Sequence, residues 1–282
     1  MGELIFQKSK LLDSDLDFVI RQAAPEFKDK GKLRCLIRED EYFRRGLIGD
    51  ENVFKQVIAD GDIIVRISPA LYFEILLRKA HRELQKVSLT MERTGSQVIP
   101  VFDAEHVASL LGRDEVLYYL ADMLSSFTRI ESFTIPVRVR EGIWRKIRFN
   151  DMDIDSLTKF CSAVNEEDRF RFYRRIGDIC LFVLGMFPEY AQLDCRRCSP
   201  VETSQRLLAR LPRTMDDYEE EGKRFYKLAA EHDMAGTVEL SGVFWLLHGN
   251  FHEAMKPLNF ICDHYLHYNK HKLFGGMTGQ GG

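Results

Sequence analysis

"DAEHVASLLGRDEVLYYLADMLSSFTRI", residues 103–130, decides the fold reading, because it holds two helices with a short break between them. Asp103 stands where an N-terminal cap belongs, ahead of Ala104–Leu111. Gly112 follows as a residue suited to the left-handed conformation that ends helices. Asp114 is then placed to cap a longer helix whose Val116, Leu120, Met123, Leu124 and Phe127 fall on one face at helical spacing. The face opposite that stripe carries Tyr118, Asp122, Ser125 and Arg129, with Asp114 and Glu115 at the start.

The flanking segments supply the rest of the pattern. "SQVIPVF" (96–102) has the composition of a short strand. Before it, Ser68-Pro69 pairs a capping serine with proline at the first helical position, and predicts a helix to about Met91. After it, "FTIPVRVREGIWRKIRF" (133–149) alternates apolar and polar residues around Glu141-Gly142, as a β-hairpin does. Alternation predicts Ile135, Val137, Val139, Ile143, Ile147 and Phe149 on one side. Arg138, Arg140, Trp144, Lys146 and Arg148 take the other, with Arg145 close by. Several cations beside one indole suit a phosphate backbone and a stacked base.

This order of helix, strand, helix, helix and hairpin over residues 68–150 resembles the winged-helix superfamily. The resemblance implies a third helix directed at a DNA major groove and a hairpin wing against the backbone or minor groove. Carboxylates at Asp114, Glu115 and Asp122 are repelled by phosphates, which favours the protein-binding use that many winged helices have.

Around this segment the expectation is mainly α: a helical N-terminal segment (1–67), an all-helical C-terminal domain (151–274) and a flexible glycine-rich tail (275–282). Helices are expected from Ser14 to Ala24, Lys32 to Arg45 and Glu51 to Ala59. Further on they are expected from Asp153 or Asp155 to Val164, Glu166 to Phe187, and at 215–232, 241–256 and 258–273, with Pro257 at the last break. A Ser-Pro-Val-Glu capping box at 199–202 opens another.

The candidate chemistry lies in this C-terminal part. Cys195 and Cys198 in "DCRRC" precede the capping box, where a helix dipole and two arginines would favour thiolates. Five of the eight histidines lie between His248 and His271. His264, His267 and His271 share the polar face of a helix whose apolar stripe is Leu258, Ile261, Cys262, Tyr265 and Leu273. His248 and His252, one turn apart, border an apolar face. No cofactor is expected; Cys195, Cys198, His248 and His252 are the residues that offer thiol or zinc chemistry. Glycine-rich phosphate loops, nucleophile elbows and dinucleotide fingerprints are absent from the sequence.

A net charge of −3, with 24 Lys+Arg against 23 Asp+Glu in residues 1–150 and 16 against 20 in 151–282, makes neither part strongly basic and gives no bulk signal for nucleic acid. The first residues lack a signal-peptide core, the longest apolar run (179–187) falls short of a membrane span, and six scattered cysteines suit a reducing compartment. The expectation is a cytoplasmic, non-enzymatic regulatory or adaptor protein that binds nucleic acid or a protein partner and no membrane. A metal- or thiol-dependent enzyme is the alternative.

Overall fold

The computed structural model describes residues 11–94, 97–129, 132–140, 143–191, 213–267 and 270–274. Cys195, Cys198, the 199–202 capping box, the Glu141-Gly142 turn and the tail at 275–282 lie outside the described residues. The fold is mainly α, as expected from the sequence. By internal contacts the described residues divide into two units, an N-terminal one within 11–128 with 256–273, and a C-terminal one within 129–255 with Phe274.

The N-terminal unit begins with α1 (Asp13–Ala23), α2 (Lys30–Glu39), α3 (Glu41–Ile48), α4 (Glu51–Ala59) and a single turn, α5 (Ile63–Arg66). The helix expected over 32–45 is two helices, because the Asp40 carboxylate accepts from the Tyr42 and Phe43 amides and starts a second one. The cap expected at Ser14 is displaced to Leu12, whose amide donates to Asp15. Asp15 is fully buried, and its carboxylate also accepts from the Ser68 amide and hydroxyl, both at 2.7 Å. Ser68 in turn caps α6 (Pro69–Leu84) through the Leu71 amide. One carboxylate on α1 thus fixes where α6 begins.

α6 is buried on nearly every side from Leu71 to Leu77, as a central helix must be. It packs against α7 (Ala104–Leu111), α8 (Asp114–Ser126) and α4. It ends at Leu84, short of Met91, because residues 90–94 form strand β1 antiparallel to β2 (Gln97–Val101). The strand expected at 96–102 therefore belongs to a two-stranded sheet of its own. Lys256, 5% exposed, anchors this hairpin through Thr90, Glu92 and Asp103. Asp103 is therefore spent on Lys256 and Thr90 and makes no side-chain cap to α7.

The C-terminal unit holds β3 (Ser132–Arg140) and β4 (Ile143–Asn150), then α9 (Ile154–Ala163) capped by Asp153, and α10 (Glu166–Met186). Phe170, Tyr173, Ile176, Cys180 and Val183 are buried, as their spacing predicts. α10 packs on α11 (Met215–Glu231), which packs on α13 (Ser241–Gly249) after the short α12 (Asp233–Thr237). Close approach is permitted at Gly222, where an added Cβ would overlap the Phe251 ring and lie 2.9 Å from the Cys180 Cβ.

The break expected at Pro257 falls instead at Asn250, whose backbone and side-chain amides both donate to the Leu246 carbonyl and close α13. The next helix, α14 (Phe251–His264), continues through Pro257, and a last turn, α15 (Lys270–Leu273), follows.

Candidate functional site

Three places were marked out by sequence or by burial. The first lies in the N-terminal unit, where α3, α6 and α8 bring a set of charged side chains out of water. Arg44 donates to both carboxylate oxygens of Glu74, at 3.3 and 2.6 Å, and Arg78 donates to Glu74 at 3.0 and 2.8 Å. Arg78 also donates to the Tyr118 hydroxyl at 2.8 Å, and that hydroxyl donates to Glu41. The Arg44 and Arg78 guanidinium carbons lie 4.5 and 5.4 Å from the Tyr118 ring centroid. Burial works against the charge on Arg44, but Glu74 outweighs it and raises the arginine pKa. Burial likewise raises the Tyr118 hydroxyl, which stays neutral.

This network overturns one expectation. Helical spacing places Tyr118 on the free face of α8, but it is 4% exposed and held between two arginines. Asp114 is not a cap either: it is the first residue of α8 and pairs with Arg45, with Arg78 3.7 Å away.

A cleft of about 400 Å³ opens beside the network, with Tyr42, Arg45, Arg78, His81, Arg82 and Gly112 in its lining. Gly112 is not left-handed, with φ at −70°. A Cβ there would lie 3.0 Å from His81 Nε2, so glycine leaves room for the histidine instead. Burial, then Arg45 and Arg78, push the His81 pKa down against the Ala108 carbonyl bond and Asp114. Arg82 Nε is buried with no hydrogen-bond partner.

The second place is hairpin β3–β4, whose strands span the expected residues. Its register pairs Arg138 with Trp144, Val137 with Arg145, Pro136 with Lys146 and Thr134 with Arg148. Arg138, Trp144, Lys146 and Arg148 therefore occupy positions of one face of the ribbon. Arg140 departs from that row: a register shift between Arg138 and Arg140 pairs it with Ile143.

The third is the histidine-rich end. His252 Nδ1 lies 3.2 Å from Glu219, which Lys223 also holds, and the Glu219 pKa is lowered because these partners outweigh its burial. His248 Nδ1 is 2.9 Å from the Lys223 carbonyl. His264 is exposed, with its ring stacked on Phe260 at 4.1 Å, and His267 and His271 are exposed too. Leu258, Ile261, Cys262 and Leu273 are buried as their stripe predicts. No three His, Cys, Asp or Glu side chains among the described residues form a group able to hold a metal ion.

The buried network was not singled out from sequence, although a signal was present. Glu74 and Arg78 stand four residues apart in "ALYFEILLR", a run with no other charge, and two opposite charges in such a run mark a buried pair. No family model, curated protein or solved structure matches the chain.

Proposed function

We propose that this chain is a non-enzymatic regulatory or adaptor protein that holds a nucleic-acid backbone on hairpin β3–β4. The observation that carries the reading is the register, which lines Arg138, Lys146 and Arg148 up with Trp144 on one face of the ribbon. Arg145 and Arg140 add charge at positions out of that row. Cations along a two-stranded ribbon suit successive phosphates, and an indole among them suits a base. Reading of base edges by α8 forms no part of the proposal, since Tyr118 and Asp114 are already held by arginines of the same unit. Contacts to phosphate without base readers give affinity with little sequence preference.

A cytoplasmic location belongs to the same reading. It is supported by free thiols at Cys35, Cys161, Cys180 and Cys262, and no described helix is long and apolar enough to cross a membrane. The test compares wild type with the variant Arg138→Gln/Arg140→Gln/Lys146→Gln/Arg148→Gln in titrations of single- and double-stranded oligonucleotides. Loss of binding in the variant, with its thermal melt intact, supports the reading. Unchanged affinity refutes it.

A further inference from the structure

We propose that the cleft between α3, α6, α7 and α8 is a binding site for a phosphomonoester carrying a small apolar or aromatic body. The proposal is independent of the hairpin reading and concerns the other unit of the chain.

The charge arrangement is the first argument. Three guanidiniums, Arg45, Arg78 and Arg82, line the cleft, and one carboxylate, Asp114, lines it with them. Asp114 is shared by Arg45 and Arg78, and Arg78 has two further carboxylates beside it, Glu74, which it shares with Arg44, and Glu41 at 3.8 Å. Arg44, Arg45 and Arg78 are thus matched by Glu41, Glu74 and Asp114, and Arg82 in the lining is one cation more. Arg82 is the residue left over. Its buried Nε has no acceptor, and the nearby Glu51, which feels its charge, bonds Lys79 instead. Arg82 also lines the cleft, so an oxyanion there would give its guanidinium a charged partner.

The shape is the second. At about 400 Å³ the space exceeds what an inorganic ion needs and suits a small organic molecule. Leu111 and Leu117 give it an apolar wall, and Tyr42, 84% exposed at its lining, offers a ring to stack on. The guanidinium fork matches phosphate oxygens two at a time, and several forks converging here favour a dianion over a single carboxylate.

Calorimetric titration of the full chain with phenyl phosphate, inorganic phosphate, benzoate and phenol tests this. Phenyl phosphate is expected to bind at least about tenfold tighter than inorganic phosphate or benzoate, and phenol not at all. Arg82→Gln should weaken phenyl phosphate at least about tenfold, because the forked donor is lost. A variant with the four hairpin cations neutralised should bind it as wild type does. Should Arg82→Gln fold poorly, the His81 imidazole resonances of wild type give a second readout, moving toward the protonated position as the dianion binds. Silence in calorimetry at millimolar phenyl phosphate overturns the proposal. So does benzoate binding as tightly as phenyl phosphate, or affinity that survives Arg82→Gln.

Discussion

Arg44 and Glu74 meet in a two-pronged ion pair with side chains only 5% and 1% exposed, and Arg78 closes on the same carboxylate from one turn along α6. Removing one member of such a group strands the others without water, which costs far more than the intact pair contributes. Glu74→Gln should therefore lower stability by about 3–5 kcal/mol in urea denaturation followed by circular dichroism. Replacing Arg44, Glu74 and Arg78 together by Met, Leu and Met should recover most of that loss. A mild effect of the single change would mean that water reaches the site.

Gly222 gives a steric prediction for the C-terminal unit. Its α-carbon faces the Phe251 ring and Cys180 with no space for a methyl group. Gly222→Ala should cost about 1–3 kcal/mol, the usual range for overpacking, despite the better helix propensity of alanine. Adding Phe251→Leu should relieve part of the cost, and a thermal melt of the single and double variants measures both.

His81 sets a pH dependence. Its pKa in the folded chain lies below the ordinary 6.5, chiefly through burial and then through Arg45 and Arg78. The unfolded chain therefore binds more protons at this ring, so stability rises with pH across that interval. The contribution is fully present above 6.5 and is lost as the pH falls below it toward the folded value. Asp103 and Glu219 are shifted down as well, but their contributions fade only below their ordinary 3.8 and 4.5. Unfolding midpoints between pH 7 and 5 should thus decline in wild type and flatten in His81→Gln.

Lys256 offers a fourth check. It is 4% exposed at the side chain and bonded to Thr90, Glu92 and Asp103. Lys256→Met leaves carboxylates without their cation and should destabilise by about 3 kcal/mol or more. Faster amide exchange should appear in β1 and β2 before the rest of the N-terminal unit.

Local patterns carried most of the helices. The apolar stripe of α8, the inward residues of α10 and the Ser68-Pro69 start of α6 were all legible, because each is set by neighbours within a turn or two. The errors arose where a distant partner decided. Residues 90–94 continue a helical composition, yet they pair with 97–101 under the hold of Lys256, more than 150 positions later in the chain. Asp103 looks like a cap and is claimed by the same lysine. Tyr118 looks exposed by its helical position and is covered by Arg44 and Arg78. The basic row of the hairpin was legible in its alternation, whereas the shift that removes Arg140 from it has no sequence marker.

The hairpin proposal is tested most directly by the salt dependence of nucleic-acid binding. Apparent affinity for a single-stranded oligonucleotide should be measured between about 50 and 200 mM salt, for wild type and for the variant lacking Arg138, Arg140, Lys146 and Arg148. Four to five phosphate contacts predict a slope of log K against log salt of about −3, shrinking toward zero in the variant. A wild-type chain that fails to bind at 50 mM salt, or a variant that keeps the wild-type slope, would contradict the account.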